Sequence, residues 1–146
     1  MKLLLANSGP SLHLSWKELG CKDGTPYPTE WRTNRAIQLA EVFELLRKIC
    51  GNQPLQILSA YRTPAHNKSI GGAQNSQHMQ GRALDIKPPI GFPLRILYNH
   101  VYELAGMTAI RGIGMYPTFV HIDIRPTERL IAWNGKGLKD DSPRNA

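Results

Sequence analysis

The chain is short of several features that would settle its class at once. Its 146 residues include two cysteines, Cys21 and Cys50. A single pairing cannot define a disulfide framework, so both are expected as free thiols. No apolar run approaches the roughly 20 residues that a bilayer-spanning helix requires. Membrane insertion is therefore not expected, and the chain reads as soluble. The opening MKLLLANSGP has a lysine and a short apolar run that breaks at Asn, Ser, Gly and Pro. It is read as mature sequence rather than a secretory signal. Repeats and low-complexity tracts are missing. So are a Cys/His finger and the aromatic-interleaved pattern of RNA-binding modules. The acidic residues offer no evident pair to flank a scissile sugar bond, which counts against a glycosidase.

What is present suits one globular domain spanning 1–146, with a tail from 136 onward expected to fray. Apolar residues make up 41% of the chain, and 18 Lys and Arg against 11 Asp and Glu give a net charge of +7. Such a balance favours an acidic partner: nucleic acid, anionic lipid or an anionic wall polymer. The cations are spread along the chain, which weakens the nucleic-acid reading.

The segment YPTEWRTNRAIQLAEVFELLRKICG predicts an amphipathic helix. Ile37, Ala40, Phe43, Leu46 and Ile49 form its apolar stripe, Val42 and Leu45 widen it, Thr29 serves as N-cap, and Gly51 stops it. LQILSAYR predicts a strand that delivers Arg62 to its end, followed by a turn or short helix at TPAHN. There His66 and Asn67 are expected to cap or lie on the surface. IGGAQNS reads as a mobile loop bordering a cleft. RALDIK alternates, with Ala83 and Asp85 on one face and Leu84 and Ile86 on the other. A second helix is expected over FPLRILYNHVYELAG. AIRGIGMY and TFVHIDIRP then predict a hairpin joined at Pro117. Its second strand sends Val120, Ile122 and Ile124 to the core and His121, Asp123 and Arg125 to the opposite face. Tyr61 and Tyr116 are read as packing residues near the cleft, and His13 and His100 as structural.

Catalytic zinc takes three protein ligands and keeps a fourth position for water. His78 in the turn of SQHMQGRALDI, Asp85 on the strand after Gly81, and one residue of HID would supply that set. SAYRTPAHN, SQHMQGRALDI and GIGMYPTFVHIDIRP resemble, in this order, the motif blocks of the zinc D-Ala-D-Ala carboxypeptidase and murein endopeptidase family. Its Ser-x-His-x-x-Gly-x-Ala-x-Asp pattern is met by Ser76, His78, Gly81, Ala83 and Asp85, and HLSWKELGCKDG looks like the first segment of its small members. The resemblance implies an α+β, hedgehog/DD-peptidase-like fold with a small antiparallel sheet packed against helices. It also implies Zn2+ as cofactor and a peptidoglycan peptide as substrate.

The last block departs from part of the family, because Thr118 stands where an upstream acid would be. Two assignments compete. In one, His78, Asp85 and His121 ligate the metal, and Asp123 acts as base or orients the site. In the other, Asp123 ligates and His121 is the catalytic partner. The first is preferred because it keeps two imidazoles and one carboxylate, leaving more positive charge on the ion. Asp123 would then take a proton from metal-bound water. Arg62 would bind substrate and help stabilise the oxyanion, and Ser76 would touch substrate or cap its turn. The expected protein is a monomeric metallopeptidase acting on the cell wall, as a phage-type lysin or a bacterial enzyme exported by another route. A non-catalytic wall- or protein-binding module on the same fold is the alternative.

Overall fold

The computed structural model describes residues 8–137. The reading of the opening segment falls mostly outside them, and so does that of the tail beyond Gly137. Among the described residues, four α-helices and five strands follow one another: α1 (Trp16–Leu19), α2 (Arg35–Ile49), β1 (Gln56–Ser59), α3 (Pro64–Ser69), β2 (Ala83–Lys87), α4 (Leu94–Ala105), β3 (Gly112–Met115), β4 (Val120–Asp123) and β5 (Ile131–Asn134). Short 3-10 turns occupy Thr29–Trp31 and Gln77–Gln80. The result is an α+β fold around one five-stranded sheet of order β1-β2-β4-β3-β5.

The sheet is antiparallel across its first four strands, but β5 lies parallel to β3. This corrects the expectation of an all-antiparallel sheet. After β4 the chain crosses to the free edge of β3, where Ile131 N donates to Arg111 O and Gly135 N to Met115 O. No local alternation announces β5, whose side chains are all half-buried.

One face of the sheet carries the core. Leu84, Ile86, Ile113, Val120 and Ile122 pack with Leu39, Phe43 and Leu46 of α2 and Leu97, Val101 and Leu104 of α4. Each such side chain contributes roughly 1.5–3 kcal/mol when fully removed from water. The period of two then sends Ala83, Asp85, His121 and Asp123 to the other face, as the sequence predicts.

Helix α2 starts later than its sequence suggests. Thr29 belongs to the 3-10 turn, and Asn34 is the cap, its side chain accepting from Arg35 N at 2.6 Å. The expected stripe is also displaced, since Ile37, Leu45 and Ile49 are exposed while Ala36 and Leu39 are buried. Steps of three residues lag a helix of about 3.6 per turn by about 60° each, so the ends of a five-member series rotate out of the core.

Candidate metal centre

Three polar side chains converge where the sheet meets the second 3-10 turn. Ser76 caps that turn by accepting from His78 N, and Gly81 ends it in the left-handed region at φ 65°. A Cβ at Gly81 would strike the Trp31 indole, so glycine is required both for the turn and for the close approach. The turn aims His78 back over β2. There Asp85 pairs in register with His121 of β4, side by side on the same face.

One ligand atom each from His78, Asp85 and His121 lies within 4.8 Å of the others, and all three residues are buried. His78 Nε2 is 3.1 Å and His121 Nδ1 2.9 Å from Asp85 Oδ1. A tetrahedral site with bonds of about 2.0 Å has ligand–ligand edges of about 3.3 Å, so the spacing suits one small divalent ion.

His78 supplies an independent test of fit. Its Nδ1 donates to the Ala60 carbonyl at 2.6 Å. Burial lowers its pKa against the pull of Asp85, keeping the ring neutral. Nε2 therefore carries a bare lone pair, is buried and has no hydrogen-bond partner, yet faces a carboxylate oxygen. Two acceptors set against each other repel unless a cation lies among them. The residues fit a metal ion.

The surroundings fix each donor. Burial pushes Asp85 up, but the hydrogen bond from His121 outweighs it and holds the carboxyl well below the usual range. Asp85 Oδ2 lies 3.3 Å from Arg62 Nη2. The other Arg62 donors reach Ser59 Oγ at 3.0 Å and Asn67 Oδ1 at 3.1 Å. His121 Nε2 lies 2.8 Å from Asp123 Oδ2, and Asp123 also accepts two bonds from the Arg125 guanidinium at 2.8 Å each. Asp123 is fully buried, under Gly112, where any Cβ would collide with its carboxylate. On β3, Gly114 likewise clears room for Trp133, whose ring lies 5.3 Å from that of His121.

The centre opens into a cleft of about 880 Å³, lined among others by Arg62, Ser76, Tyr116, Arg125, Trp133 and Lys136. The Ile70–Ser76 segment borders it, as expected. Asp85 is the one carboxylate among the described lining residues. Tyr116 stacks on Phe119 at the cleft, whereas Tyr61 packs with Tyr27 and Trp31. His13 pairs with Glu44, away from the centre. Both cysteines are free and buried.

Sequence reasoning missed Asn67 and Trp133. Asn67 is not a surface residue: it is buried on α3, with its amide nitrogen donating to Ala73 O and its oxygen receiving Arg62. Its position five residues after Arg62, with a cap at Thr63 between, was the available signal. Trp133 had none, because β5 itself was not foreseen.

Residues 12–123 match a family model described as Peptidase M15. Two curated proteins are similar over parts of the chain. The probable peptidoglycan L,D-endopeptidase MepK of Haemophilus influenzae is 31% identical over 91 residues, covering 58% of this chain and 45% of that protein. The zinc D-Ala-D-Ala carboxypeptidase of Streptomyces albus G is 36% identical over 56 residues, covering 37% of this chain and 22% of that protein. The chain thus spans less than half the length of either relative.

Proposed function

This chain belongs to the peptidase M15 family, and from that premise we propose that it is a zinc-dependent peptidase hydrolysing peptide bonds of bacterial peptidoglycan stem peptides or cross-links, on a hedgehog/DD-peptidase-like fold. One observation carries the reading. His78 Nε2, with a bare lone pair, meets the Asp85 carboxylate and the His121 imidazole at the floor of a cleft large enough for a short peptide. One relative is named as a peptidoglycan L,D-endopeptidase and the other as a zinc D-Ala-D-Ala carboxypeptidase. The net charge of +7 suits an anionic wall.

In this reading His78, Asp85 and His121 hold the ion. When bound, zinc supplies a Lewis acid and a water that ionises near neutral pH. The protein's share is orientation. The Ala60 carbonyl fixes the His78 tautomer, and Asp123 fixes that of His121 by accepting from Nε2, leaving Nδ1 for the metal. Of the two roles open to Asp123, base or orienting group, its surroundings support the second, since both oxygens are engaged and neither is exposed. Arg62 neutralises Asp85 and borders the cleft, where its charge favours a substrate carbonyl as it becomes an oxyanion. Ser76 caps the His78 turn and also lines the cleft, within reach of substrate.

Purified protein incubated with sacculi, with and without a chelator, tests the proposal. Release of free amino groups that stops on chelation is expected, and the product masses identify a carboxypeptidase or an endopeptidase. Sacculus binding without release, in protein loaded with zinc, would make the chain a binding module instead.

A further inference from the structure

We propose that Cys21, Asp23 and His66 form a second divalent-metal site, suited to zinc, that staples the turn after α1 to the start of α3. One ligand atom from each lies within 4.8 Å of the others, and none of the three belongs to the His78–Asp85–His121 set. None lines the cleft, which sets the proposed site apart from the primary centre.

The donors differ in kind, which sets them apart from a chance gathering of carboxylates. A thiol and an imidazole are preferred zinc ligands, and a carboxylate completes a three-residue set. Cys21 is buried, His66 half-buried and Asp23 exposed, which leaves solvent access for a water at the fourth position.

The backbone holds these side chains ready. Cys21 N donates to Thr25 O at 2.8 Å and Gly24 N to Cys21 O at 3.0 Å, forming a tight turn with Gly24 at φ 99°. Asp23 Oδ1 accepts from Thr25 N at 2.8 Å. The Thr63 hydroxyl donates to Asp23 Oδ2 at 2.9 Å and caps α3 by accepting from His66 N at 3.1 Å. Binding would replace the Cys21 thiol proton with the ion and release the proton to solvent.

The position explains a purpose. Tyr61 N bonds Leu19 O, and Arg62 N bonds His78 O. The strand exit that carries Arg62 is thus held on one side by the primary centre and on the other by the turn this site would clamp. Cys50, in contrast, belongs to no such group among the described residues.

Metal analysis and cobalt(II) spectroscopy on the full chain test the assignment. After zinc loading and removal of free ion, the wild type is expected to retain two equivalents, and His78→Ala and Cys21→Ser one each. With cobalt, a sulfur-to-metal charge-transfer band is expected in the wild type, His78→Ala and Cys50→Ser, and is lost in Cys21→Ser. If Cys21→Ser does not fold, Asp23→Asn and His66→Gln are read by the same band, which should weaken or shift. A wild type with no such band overturns the proposal, as does a band that survives Cys21→Ser or is unaltered in both other variants. The primary set contains no thiol, so failure of that centre leaves this readout intact.

Discussion

Asp123 sits directly behind His121, its Oδ2 2.8 Å from the imidazole Nε2, while the Arg125 guanidinium grips both of its oxygens. A carboxylate so placed sets the tautomer of the ring in front of it. Asp123→Asn should therefore weaken metal affinity by about 10–100-fold while the fold persists, as measured by chelator competition. Full metal retention with lost turnover would instead make Asp123 the base.

Arg62 spends every face of its guanidinium on a different partner: Ser59, Asn67 and Asp85. Lysine keeps the charge but not the fork. Arg62→Lys is expected to lower kcat by about 10²-fold, with zinc content near wild type and α3 intact. Unchanged steady-state kinetics would remove Arg62 from the mechanism.

Gly81 combines a left-handed backbone with a missing Cβ that would meet Trp31, and its carbonyl receives the buried Tyr27 hydroxyl at 2.7 Å. Gly81→Ala is expected to destabilise the fold by about 1–3 kcal/mol and to displace His78. Tyr27→Phe, which leaves the backbone unstrained, should cost only about 1 kcal/mol. Denaturant melts would rank the two, and equal losses would contradict the strain argument.

In metal-free protein, burial lowers the His121 pKa, but Asp123 and Asp85 outweigh it and raise it to about 9. The folded chain therefore favours the imidazolium. Its stabilisation is complete below about pH 6.5, the ordinary histidine value, and is lost as pH rises through about 9. An ion at Nδ1 must displace that proton. Thermal melts of chelated protein should decline across this window, and calorimetry in buffers of different ionisation heat should show about one proton released per ion at neutral pH. Binding without proton release would exclude this linkage.

Much of the site was legible because strands impose a period of two. That rule alone put Asp85, His121 and Asp123 on one face and the aliphatic residues of β2 and β4 on the other. The hairpin at Pro117 followed from the same pattern. Elements whose cause is tertiary were not legible. β5 takes its partner from across β3, so IAWN carries no local mark. Asn67 is buried because Arg62 and the Ala73 carbonyl meet there, a contact that its spacing from Arg62 only hints at. Gly112 and Gly114 lie in a strand the sequence predicts, but nothing local announces that the Asp123 carboxylate and the Trp133 indole occupy their missing side-chain space. In the α2 stripe Ala40, Val42, Phe43 and Leu46 are buried as expected, and its ends Ile37 and Ile49 are exposed for a simpler reason, a periodicity counted in threes.

Trp133 stands beside the His121 ring, while Trp16 and Trp31 pack around Tyr27. That separation gives the molecule a built-in optical gauge. A paramagnetic ion seated on His121 should quench the emission of Trp133, the tryptophan against its ring, so occupancy can be followed by light alone, without any substrate.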